Sequence, residues 1–512
     1  MSSSVVVFTT PGCPYCKRAK QALSEQKVPY QEVDVSVNTE LRAALKEATG
    51  ERTVPQVYAK GTLVGGSDAL LAKIADGSFT QLLSQASSSQ AALPNMLSKA
   101  VQAADAAAAA TSAAAPAAGT SLPEALQQVL SALSDPQSGV QRQPGSSSKP
   151  PSFTGKALLD WLVQHNSSSS SRSAAAAQAQ QLLSANAITL VSDKQPSADE
   201  VAAVFDDEAH SYALRSEAVR AVPWGAALNT HFWWGPAAAR PAEVVAEELR
   251  GRILALYDKH LSADGRAVSY AALKQDLEFW EYVDATAELQ RVDLSPLSRE
   301  SLMAFAINLY NALVIHALVV HGPQQYNSTT GRVGFFQKAS KYNIGGYDYV
   351  LDDLENGILR GNSPAASTIG MLLKLPWLSK GPFKAGDPRA QHVVRPLDPR
   401  IHFALVCGAK SCPPIKLYSA ATLEEGLSAA ADTFCASDVE VDAAAKKVRL
   451  SKIFSWYFPD FGADKAARLR FLLPHLPADK QASLQQLLAA DPAAKGISVE
   501  HKPYDWTINA AE

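Results

Sequence analysis

The first 84 residues alternate short apolar runs with stretches in which apolar residues recur at helical spacing. An apolar run over 5–8 and a second strand-like pattern over 30–35 enclose a helical pattern that begins near Lys17. A further helical pattern follows over 41–48. This strand–helix–strand–helix order predicts an α/β domain over residues 1–84.

A change of composition separates this domain from the rest of the chain. Ser, Ala and Gln dominate residues 84–118, which hold too few large apolar groups to build a core. The Ser121–Glu124 motif predicts a helix start, ahead of apolar residues at helical spacing over 125–133. A second segment, 135–149, is rich in Ser, Gln, Gly and Pro. We therefore interpret 85–148 as a linker with one short helix.

Residues 149–217 form a smaller predicted unit. Apolar faces predict helices over 158–162 and 174–183, a strand follows at 188–191, and Trp161 is expected in the core. The opening Phe-Thr-Gly…Trp-Leu-Val and the closing Phe-Asp-Asp…Tyr-Ala-Leu resemble the DEP domain, a winged-helix fold of signalling proteins. The resemblance implies a site for a protein partner. Its basic residues are spread and its acidic residues cluster, which argues against nucleic-acid binding.

The largest part of the chain, residues 240–512, predicts a mixed α+β domain. Helical patterns cover 244–260, 270–283 and 301–321, and a strand-like run covers 401–407. Motifs in order resemble the family called domain of unknown function 547, at residues 307–313, 344–347, 351–360, 401–414, 448–454 and 504–509. That family name implies no established chemistry.

Composition and charge narrow the functional classes. A chain of 512 residues suggests about three domains, and a net charge of −3 gives no general attraction to nucleic acid or acidic membranes. Five cysteines in this length do not make a secreted disulfide framework. No uninterrupted apolar stretch of roughly eighteen residues occurs, so we expect no membrane span. The first strand follows Met1–Ser4 directly, so we expect no leader peptide and a cytoplasmic protein.

The clearest chemical motif is Cys13-Pro14-Tyr15-Cys16, between the first strand and the first helix. Backbone N–H groups and the helix dipole at that position favour a thiolate at Cys13. Cys16, one turn further on, is close enough to attack a mixed disulfide formed at Cys13. The alternative is half of a zinc site, which would need a second cysteine pair at similar spacing, and the other three cysteines do not supply one. The motif predicts redox chemistry and no metal.

Residues 5–83 resemble the dithiol glutaredoxins in this motif, in the Thr53–Tyr58 segment and in the Gly65–Asp68 turn. The resemblance implies a thioredoxin fold and a glutathione-dependent thiol–disulfide oxidoreductase, with glutathione as co-substrate and protein thiols or disulfides as partners. It assigns catalysis to Cys13 and Cys16 and implies a cis proline facing the active cysteine. It places the glutathione contacts on Tyr15, Thr53, Val54, Pro55, Gly66, Ser67 and Asp68.

One position departs from the glutaredoxin pattern. Many glutaredoxins have a lysine three residues before the first cysteine, where this chain has Thr10. Loss of that charge is expected to weaken the attraction for the glycyl carboxylate of glutathione. Lys17 and Arg18 are candidates for partial compensation, although we favour solvated positions on the helix for both.

Polar residues on the apolar helix 301–321 allow two interpretations. Asn308, Tyr310 and Asn311 either satisfy the backbone of nearby loops or position a substrate in a pocket. We favour backbone contacts, because buried amides must find partners. A second polar group, Asp352, Asp353 and Glu355 near Arg360, is interpreted as charge at a helix N-terminus rather than as a catalytic or metal site.

His402 and Cys407 raise the possibility of a cysteine hydrolase. On one regular strand they would lie on opposite faces, about 16 Å apart, so Cys407 would need His316 or His392 instead. A disulfide between Cys407 and Cys412 is a further alternative, as a partner for the tethered redox domain. Three hypotheses stand in order: a redox enzyme, a signalling scaffold or adaptor with a redox-sensing module, and a C-terminal cysteine hydrolase.

Overall fold

Four sheets organise the part of the chain that the structure, a computed structural model, describes. One has four strands, two have three and one has two. The described residues are 5–10, 13–35, 39–51, 53–84, 93–94, 97–102, 124–135, 138–144, 151–165, 171–184, 187–191, 205, 210–214, 222, 224–230, 240–265, 267–326, 328–365, 380–409 and 417–511.

The N-terminal domain is a four-stranded sheet with helices on both faces. Its elements are β1 (Val5–Thr9), α1 (Pro14–Glu25), β2 (Gln31–Asp34), α2 (Thr39–Thr49), β3 (Gln56–Ala59), β4 (Thr62–Gly65), α3 (Ser67–Ala75) and α4 (Ser78–Ser84). The strand order is β2-β1-β3-β4; β1 is parallel to β2, and β3 is antiparallel to β1 and β4. The predicted α/β order is confirmed.

Alternation along β1 divides the core of this domain into two layers. Val5 and Val7 pack with Leu23 and Leu70 on the side of α1 and α3. Phe8 points the other way and packs with Leu41 of α2. The C-terminal end of β1, just before the cysteine motif, therefore packs against both layers.

Part of the predicted linker packs onto this domain instead of serving as a tether. Residues 97–102 are helical, and Leu97 and Val101 are buried in the same core as Phe8 and Leu41. Two apolar residues four positions apart form one helical face, which suffices to dock on an existing core although it cannot build one. Residues 97–102 of the predicted linker are therefore packed against the N-terminal domain.

The middle unit consists of three helices and a three-stranded sheet. Its elements are α5 (Glu124–Ser134), β5 (Phe153–Thr154), α6 (Gly155–His165), α7 (Arg172–Ser184), β6 (Ile188–Val191) and β7 (Ser211–Leu214), and the antiparallel strand order is β5-β7-β6. Trp161 is buried, as predicted, and its indole N–H donates to the carbonyl of Ser138 at 2.8 Å. Leu126 and Leu133 of α5 share this core, so the short helix is not part of a free linker. Residues 121–123 of the predicted helix start lie outside the described residues.

The C-terminal domain is mixed α+β, as predicted. Its helices are α8 (Ala242–Lys259), α9 (Tyr270–Gln275), α10 (Leu277–Thr286), α11 (Arg299–His321), α12 (Thr329–Gly334), α13 (Leu423–Asp438), α14 (Ile453–Trp456), α15 (Lys465–Leu472) and α16 (Ala478–Ala490). Its strands are β8 (Lys341–Ile344), β9 (Tyr347–Val350), β10 (Glu440–Asp442), β11 (Lys447–Leu450) and β12 (Ser498–His501). Phe335–Ala339 and Asp353–Leu359 form π-helical turns. Short 3₁₀ turns cover Ala287–Arg291, Pro323–Tyr326, Pro388–Gln391, Pro399–Phe403, Ala420–Thr422 and Leu473–His475.

Helix α11 forms the centre of this domain. It is long and apolar enough, by length and composition, to cross a membrane, and 94% of its most apolar window is buried inside the protein. Neighbouring helices and turns pack around it, so the all-round hydrophobicity corresponds to a core helix.

Two elements of the C-terminal domain differ from the sequence prediction. The helix predicted over 270–283 is broken at Asp276, whose carboxylate accepts the N–H of Glu278 and thereby starts α10. The strand predicted over 401–407 is absent: Pro399–Phe403 is a 3₁₀ turn capped by Asp398, and Pro399 occupies its first turn. A short apolar run occurs in buried strands and in other buried backbone alike, so the pattern over 401–407 did not distinguish a strand from a 3₁₀ turn.

Candidate active site

Cys13 lies at the junction where β1 gives way to α1. It is the N-cap residue of α1, with Pro14 in the first turn, and its Sγ accepts the backbone N–H of Cys16 at 3.2 Å. Its Sγ also lies 3.8 Å from the carbonyl oxygen of Val54. The side chain thus takes a capping position in which helix N–H groups stabilise negative charge on sulfur.

Cys16 differs from Cys13 in its access to the cavity. Both cysteines are buried, but only Cys13 lines the cavity next to the motif. Burial, reinforced by the hydrogen bond and the charge of Cys13, raises the pKa of the Cys16 thiol well above its ordinary value. A thiol held protonated beside a capped sulfur is suited to a second, resolving step rather than to the first attack.

The segment facing Cys13 has the predicted proline geometry. The peptide bond between Val54 and Pro55 is cis, as the family resemblance implies. Gly66 approaches the same segment, because a Cβ atom at Gly66 would lie 3.5 Å from the carbonyl oxygen of Pro55. The Val54–Pro55 segment and the turn after β4 therefore lie side by side next to the cysteine.

A cavity of about 530 Å³ opens at Cys13. Five residues singled out from the sequence line it: Thr10, Cys13, Tyr15, Thr53 and Val54. Pro55, Gly66, Ser67 and Asp68 are not among its lining residues. The opposite wall belongs to the C-terminal domain and consists of Leu417, Ala421, Thr422, Glu425, Gly426, Ala429 and Thr433.

Arg18 connects the cavity to the turn that begins α3. Its guanidinium lies 2.6 Å from the Asp68 carboxylate and 5.6 Å from the centre of the Tyr15 ring. Next to Asp68, the Ser67 hydroxyl is buried with no hydrogen-bond partner among the described residues. Arg18 is therefore not a solvated helix residue, and the predicted glutathione residues on α3 are joined to those of the cavity through it.

Lys17 does not supply the positive charge that is missing at position 10, because its ammonium group contacts the C-terminal domain instead. Its ammonium group donates to the carbonyl oxygens of Asp258 and Leu261, both at 2.6 Å. Burial lowers the pKa of Lys17 from its ordinary value. Sequence reasoning missed this contact and the α13 wall, because both join residues several hundred positions apart and neither carries a motif.

The polar residues of α11 hold two loops. The side-chain amide of Asn308 donates to the Tyr418 carbonyl at 2.6 Å and accepts the Tyr418 N–H at 3.1 Å. Asn311 donates to the Ala404 carbonyl at 2.9 Å and accepts the Val406 N–H at 2.8 Å. The prediction that these amides satisfy loop backbone is confirmed.

A buried polar network joins the predicted acidic group to His402. Arg360 forms a bidentate ion pair with Asp460, whose Oδ2 also lies 2.8 Å from Nε2 of His402. Arg360 also donates to Asn356 at 2.6 Å, and Asn356 donates to Asp352 at 2.6 Å. Burial raises the pKa of Asp352 to about 6. This carboxylate is thus part of a specific network and not a simple helix-end charge.

The other two carboxylates of that group also have individual partners. Asp353 accepts the backbone N–H of Val350 at 3.0 Å and pairs with Arg389 at 2.9 Å. Glu355 accepts the hydroxyl of Tyr457 at 2.6 Å. The sequence interpretation as helix N-terminal charge therefore missed the side-chain pairing of all three.

The histidines suggested for Cys407 make other contacts. The Cys407 sulfur lies 3.4 Å from the Tyr504 hydroxyl. His316 is buried and its Nδ1 lies 2.8 Å from the Tyr342 hydroxyl, while His392 lies near Asp293. Cys412 lies outside the described residues. Among the described residues, no group of three or more histidine, cysteine, aspartate or glutamate side chains is arranged to hold a metal ion.

Two family models match the chain. The model described as "Glutaredoxin" matches residues 5–64, and "Protein of unknown function, DUF547" matches residues 294–435. The C-terminal domain thus contains a match to the family predicted for it from sequence.

Curated relatives match the N-terminal domain. A glutaredoxin of Pseudomonas aeruginosa is 46% identical over 80 residues, which are 16% of this chain and 95% of the relative. A glutaredoxin of Ricinus communis is 40% identical over 88 residues, 17% of this chain and 86% of the relative. Chloroplastic glutaredoxin-C4 of Oryza sativa subsp. japonica is 42% identical over 88 residues, 17% of this chain and 66% of the relative. Among solved structures, a buckwheat glutaredoxin–glutathione complex is 33% identical, covering 16% of this chain and 76% of that one with a TM-score of 0.15. Through its N-terminal domain, this chain belongs to the glutaredoxin family of glutathione-dependent thiol–disulfide oxidoreductases.

Proposed function

We propose that the chain removes glutathione from mixed disulfides, with Cys13 as the nucleophile and Cys16 as the resolving thiol. One observation carries the assignment: the Cys13 sulfur caps α1 and Cys13 lines the cavity, whereas Cys16 is not among the lining residues. Helix N–H groups favour the thiolate at the first position, and the thiolate is the attacking form.

The reaction proceeds by two thiol–disulfide exchanges. The Cys13 thiolate attacks the glutathionyl sulfur of the mixed disulfide, the original S–S bond breaks, and the substrate thiolate leaves and takes up a proton. A second glutathione, as thiolate, then attacks the glutathionyl sulfur on Cys13. Oxidised glutathione leaves and the Cys13 thiolate is restored. Two glutathione units are joined for each substrate thiol released, so electrons and atoms balance.

Cys16 provides the alternative second step for intramolecular disulfides of short peptides. Its thiol can displace the partner from Cys13 and form a Cys13–Cys16 disulfide, which two glutathione molecules then reduce. The N–H of Cys16 already contacts the Cys13 sulfur at 3.2 Å, so the two residues are adjacent. Raising the pKa of the Cys16 thiol by burial keeps it protonated until that step.

Glutathione is proposed to lie along the cis-proline segment and reach the start of α3. Backbone groups of Thr53, Val54 and Pro55 would pair with its peptide groups, and Tyr15 would cover its cysteinyl part. The γ-glutamyl end would meet Gly66, Ser67 and Asp68. The Asp68 carboxylate supports this placement, because its side chain is 83% exposed and so accessible to the γ-glutamyl amino group.

The proposal is tested by following oxidised glutathione with glutathione reductase and NADPH, using the mixed disulfide of glutathione and 2-mercaptoethanol. The wild-type chain is expected to turn over. The Cys16→Ser chain is expected to retain this activity and to lose reduction of an intramolecular disulfide in a short, unfolded peptide. Absence of turnover in the wild-type chain would overturn the proposed function.

Restoring the missing lysine is expected to strengthen glutathione binding. Thr10 lines the same cavity as Cys13, so a lysine there would place a cation beside the bound tripeptide. The Thr10→Lys chain should show a KM for glutathione lower by about threefold, the size expected for a partly solvated ion pair. The difference should vanish in high salt, which screens such pairs.

The matched control for this prediction is Thr62→Lys, which adds the same charge at an exposed position on β4. It should leave the KM for glutathione unchanged. An equal decrease in both variants would show that net charge, and not the position next to Cys13, controls the affinity.

For residues 149–217 we propose a DEP-like winged helix that binds a protein partner, between the N-terminal domain and the C-terminal domain at 240–512. The order of two helices followed by a β-hairpin, together with β5, supports this proposal. Deletion of residues 149–217 should then leave turnover of the small mixed disulfide intact while weakening capture of that partner.

A further inference from the structure

We propose that α13 of the C-terminal domain is a second wall of the Cys13 cleft and restricts the enzyme to small mixed disulfides of glutathione. Folded glutathionylated proteins would be excluded while the two domains are docked. The inference rests on the proposed function of Cys13 and adds its substrate class.

One continuous face of α13 lines the cavity. Its residues there are Glu425, Gly426, Ala429 and Thr433. Ala429 follows the first two by four and three positions and precedes Thr433 by four, so the four residues lie on one side of the helix. Leu417, Ala421 and Thr422 extend the same wall into the preceding turn. The cleft at Cys13 therefore has a wall from each domain.

The size of the cleft fits a small ligand. Its volume of about 530 Å³ lies within the range typical of small-molecule sites. A folded partner usually needs about 800 Å² of contact surface on each side, which a cleft closed by α13 does not offer. Small side chains on the wall, Gly426 and Ala429, keep the space next to Cys13 open for the part of a small substrate that lies between the two domains.

An anchor next to the active site fixes this wall in place. Lys17 follows Cys16 on α1, and its ammonium group binds the carbonyl oxygens of Asp258 and Leu261 at the end of α8. Carbonyl groups at a helix C-terminus carry partial negative charge and favour a cation. The catalytic helix is thereby attached to the domain that supplies α13, within one turn of the catalytic cysteine.

Two variants test the wall and the anchor separately in the full chain. The substrates are the glutathione–2-mercaptoethanol mixed disulfide and glutathionylated serum albumin. Ala429→Trp fills the cleft and is expected to lower kcat/KM for the small substrate by about tenfold. Lys17→Ala releases the anchor and is expected to raise the ratio of protein to small-substrate kcat/KM by about tenfold. The ratio cancels any change in the reactivity of the Cys13 thiolate, since that change affects both substrates.

The control is Lys73→Ala, which removes the same charge from an exposed position on α3. It should leave the ratio unchanged. Equal turnover of both substrates by the wild-type chain, with no change of the ratio in Lys17→Ala, would overturn the wall while leaving the proposed function intact. Loss of all wild-type turnover would instead reject the proposed function. If Ala429→Trp does not fold, the Lys17→Ala ratio alone decides.

Discussion

Replacing Cys13 with serine is expected to reduce turnover of the small mixed disulfide by at least about 10³-fold. A serine hydroxyl is essentially un-ionised at neutral pH, so the helix N-terminus that favours a thiolate has no anion to stabilise. The side chain is similar in size and can keep the capping position, because serine is itself a preferred N-cap residue. The loss should therefore appear in kcat/KM without a loss of folded protein, as measured by glutathione reductase coupling and by thermal unfolding.

Cys16→Ser is the control for this result, since it removes the neighbouring sulfur but leaves the nucleophile. It should retain most of the deglutathionylation activity. If Cys13→Ser keeps more than about a tenth of the wild-type activity, the loss is too small for a missing nucleophile. The first attack would then belong to another thiol. Cys16 and Cys407 would then be the residues to replace next.

Replacing Arg360 with methionine is expected to destabilise the C-terminal domain by about 3–5 kcal/mol, the range for breaking one side of a buried ion pair. The Arg360 and Asp460 side chains are 2% and 7% exposed, and the arginine binds both carboxylate oxygens. Without it, Asp460 is left with His402, whose own pKa is lowered by burial. A buried carboxylate beside a neutral imidazole is only partly compensated.

The stability difference between wild type and Arg360→Met should also depend on pH, which gives a second test of the buried ion pair. Burial works to raise the pKa of Asp460, but hydrogen bonds from His402 and Arg360, with the charge of Arg360, hold it at about 2. An unfolded aspartate has a pKa near 3.9, so the folded value is depressed. The stabilisation is therefore fully present above about pH 4 and is lost as the pH falls towards about 2. The difference between wild type and Arg360→Met should shrink over this acid range.

Urea unfolding followed by tryptophan fluorescence measures this effect in the full chain. Seven of the eight tryptophans follow residue 220, so the signal reports mainly on the C-terminal part. Arg449→Met is the matched control, because Arg449 is 47% exposed and pairs with an exposed Glu440. It should cost no more than about 1 kcal/mol. Equal decreases in the free energy of unfolding of the two variants would show that the buried ion pair stabilises the domain no more than an exposed one does.

The geometry of the cysteine motif was predictable because it is local. Cys13 and Cys16 are one helical turn apart, and the strand before them and the helix after them are both visible in the apolar pattern. The cis bond before Pro55 followed from family resemblance and not from periodicity. The apolar pattern and the family resemblance together predicted the fold of this domain, because its helices and strands are short, regular and joined by short loops.

The remaining features depend on contacts between distant segments. Nothing in the spacing of residues 425–433 indicates that this face of α13 meets Cys13, and nothing near Lys17 indicates a helix end at residue 258. The break at Asp276 and the turn after Asp398 were missed for a different reason. In both cases a single carboxylate capping a backbone N–H outweighed an apolar pattern that fitted a longer element.

The attachment between the catalytic domain and α8 is chemically one-sided. Position 17 contributes an ammonium group, whereas the other partner contributes two main-chain oxygen atoms that every residue type carries, with the Asp258 carboxylate as a nearby charge. Substitutions along α8 that keep its helical end therefore preserve both acceptors, whereas a substitution at position 17 removes the donor of both bonds. The attachment of the catalytic helix is thus sensitive to the residue at position 17 and tolerant of the side chain at position 261.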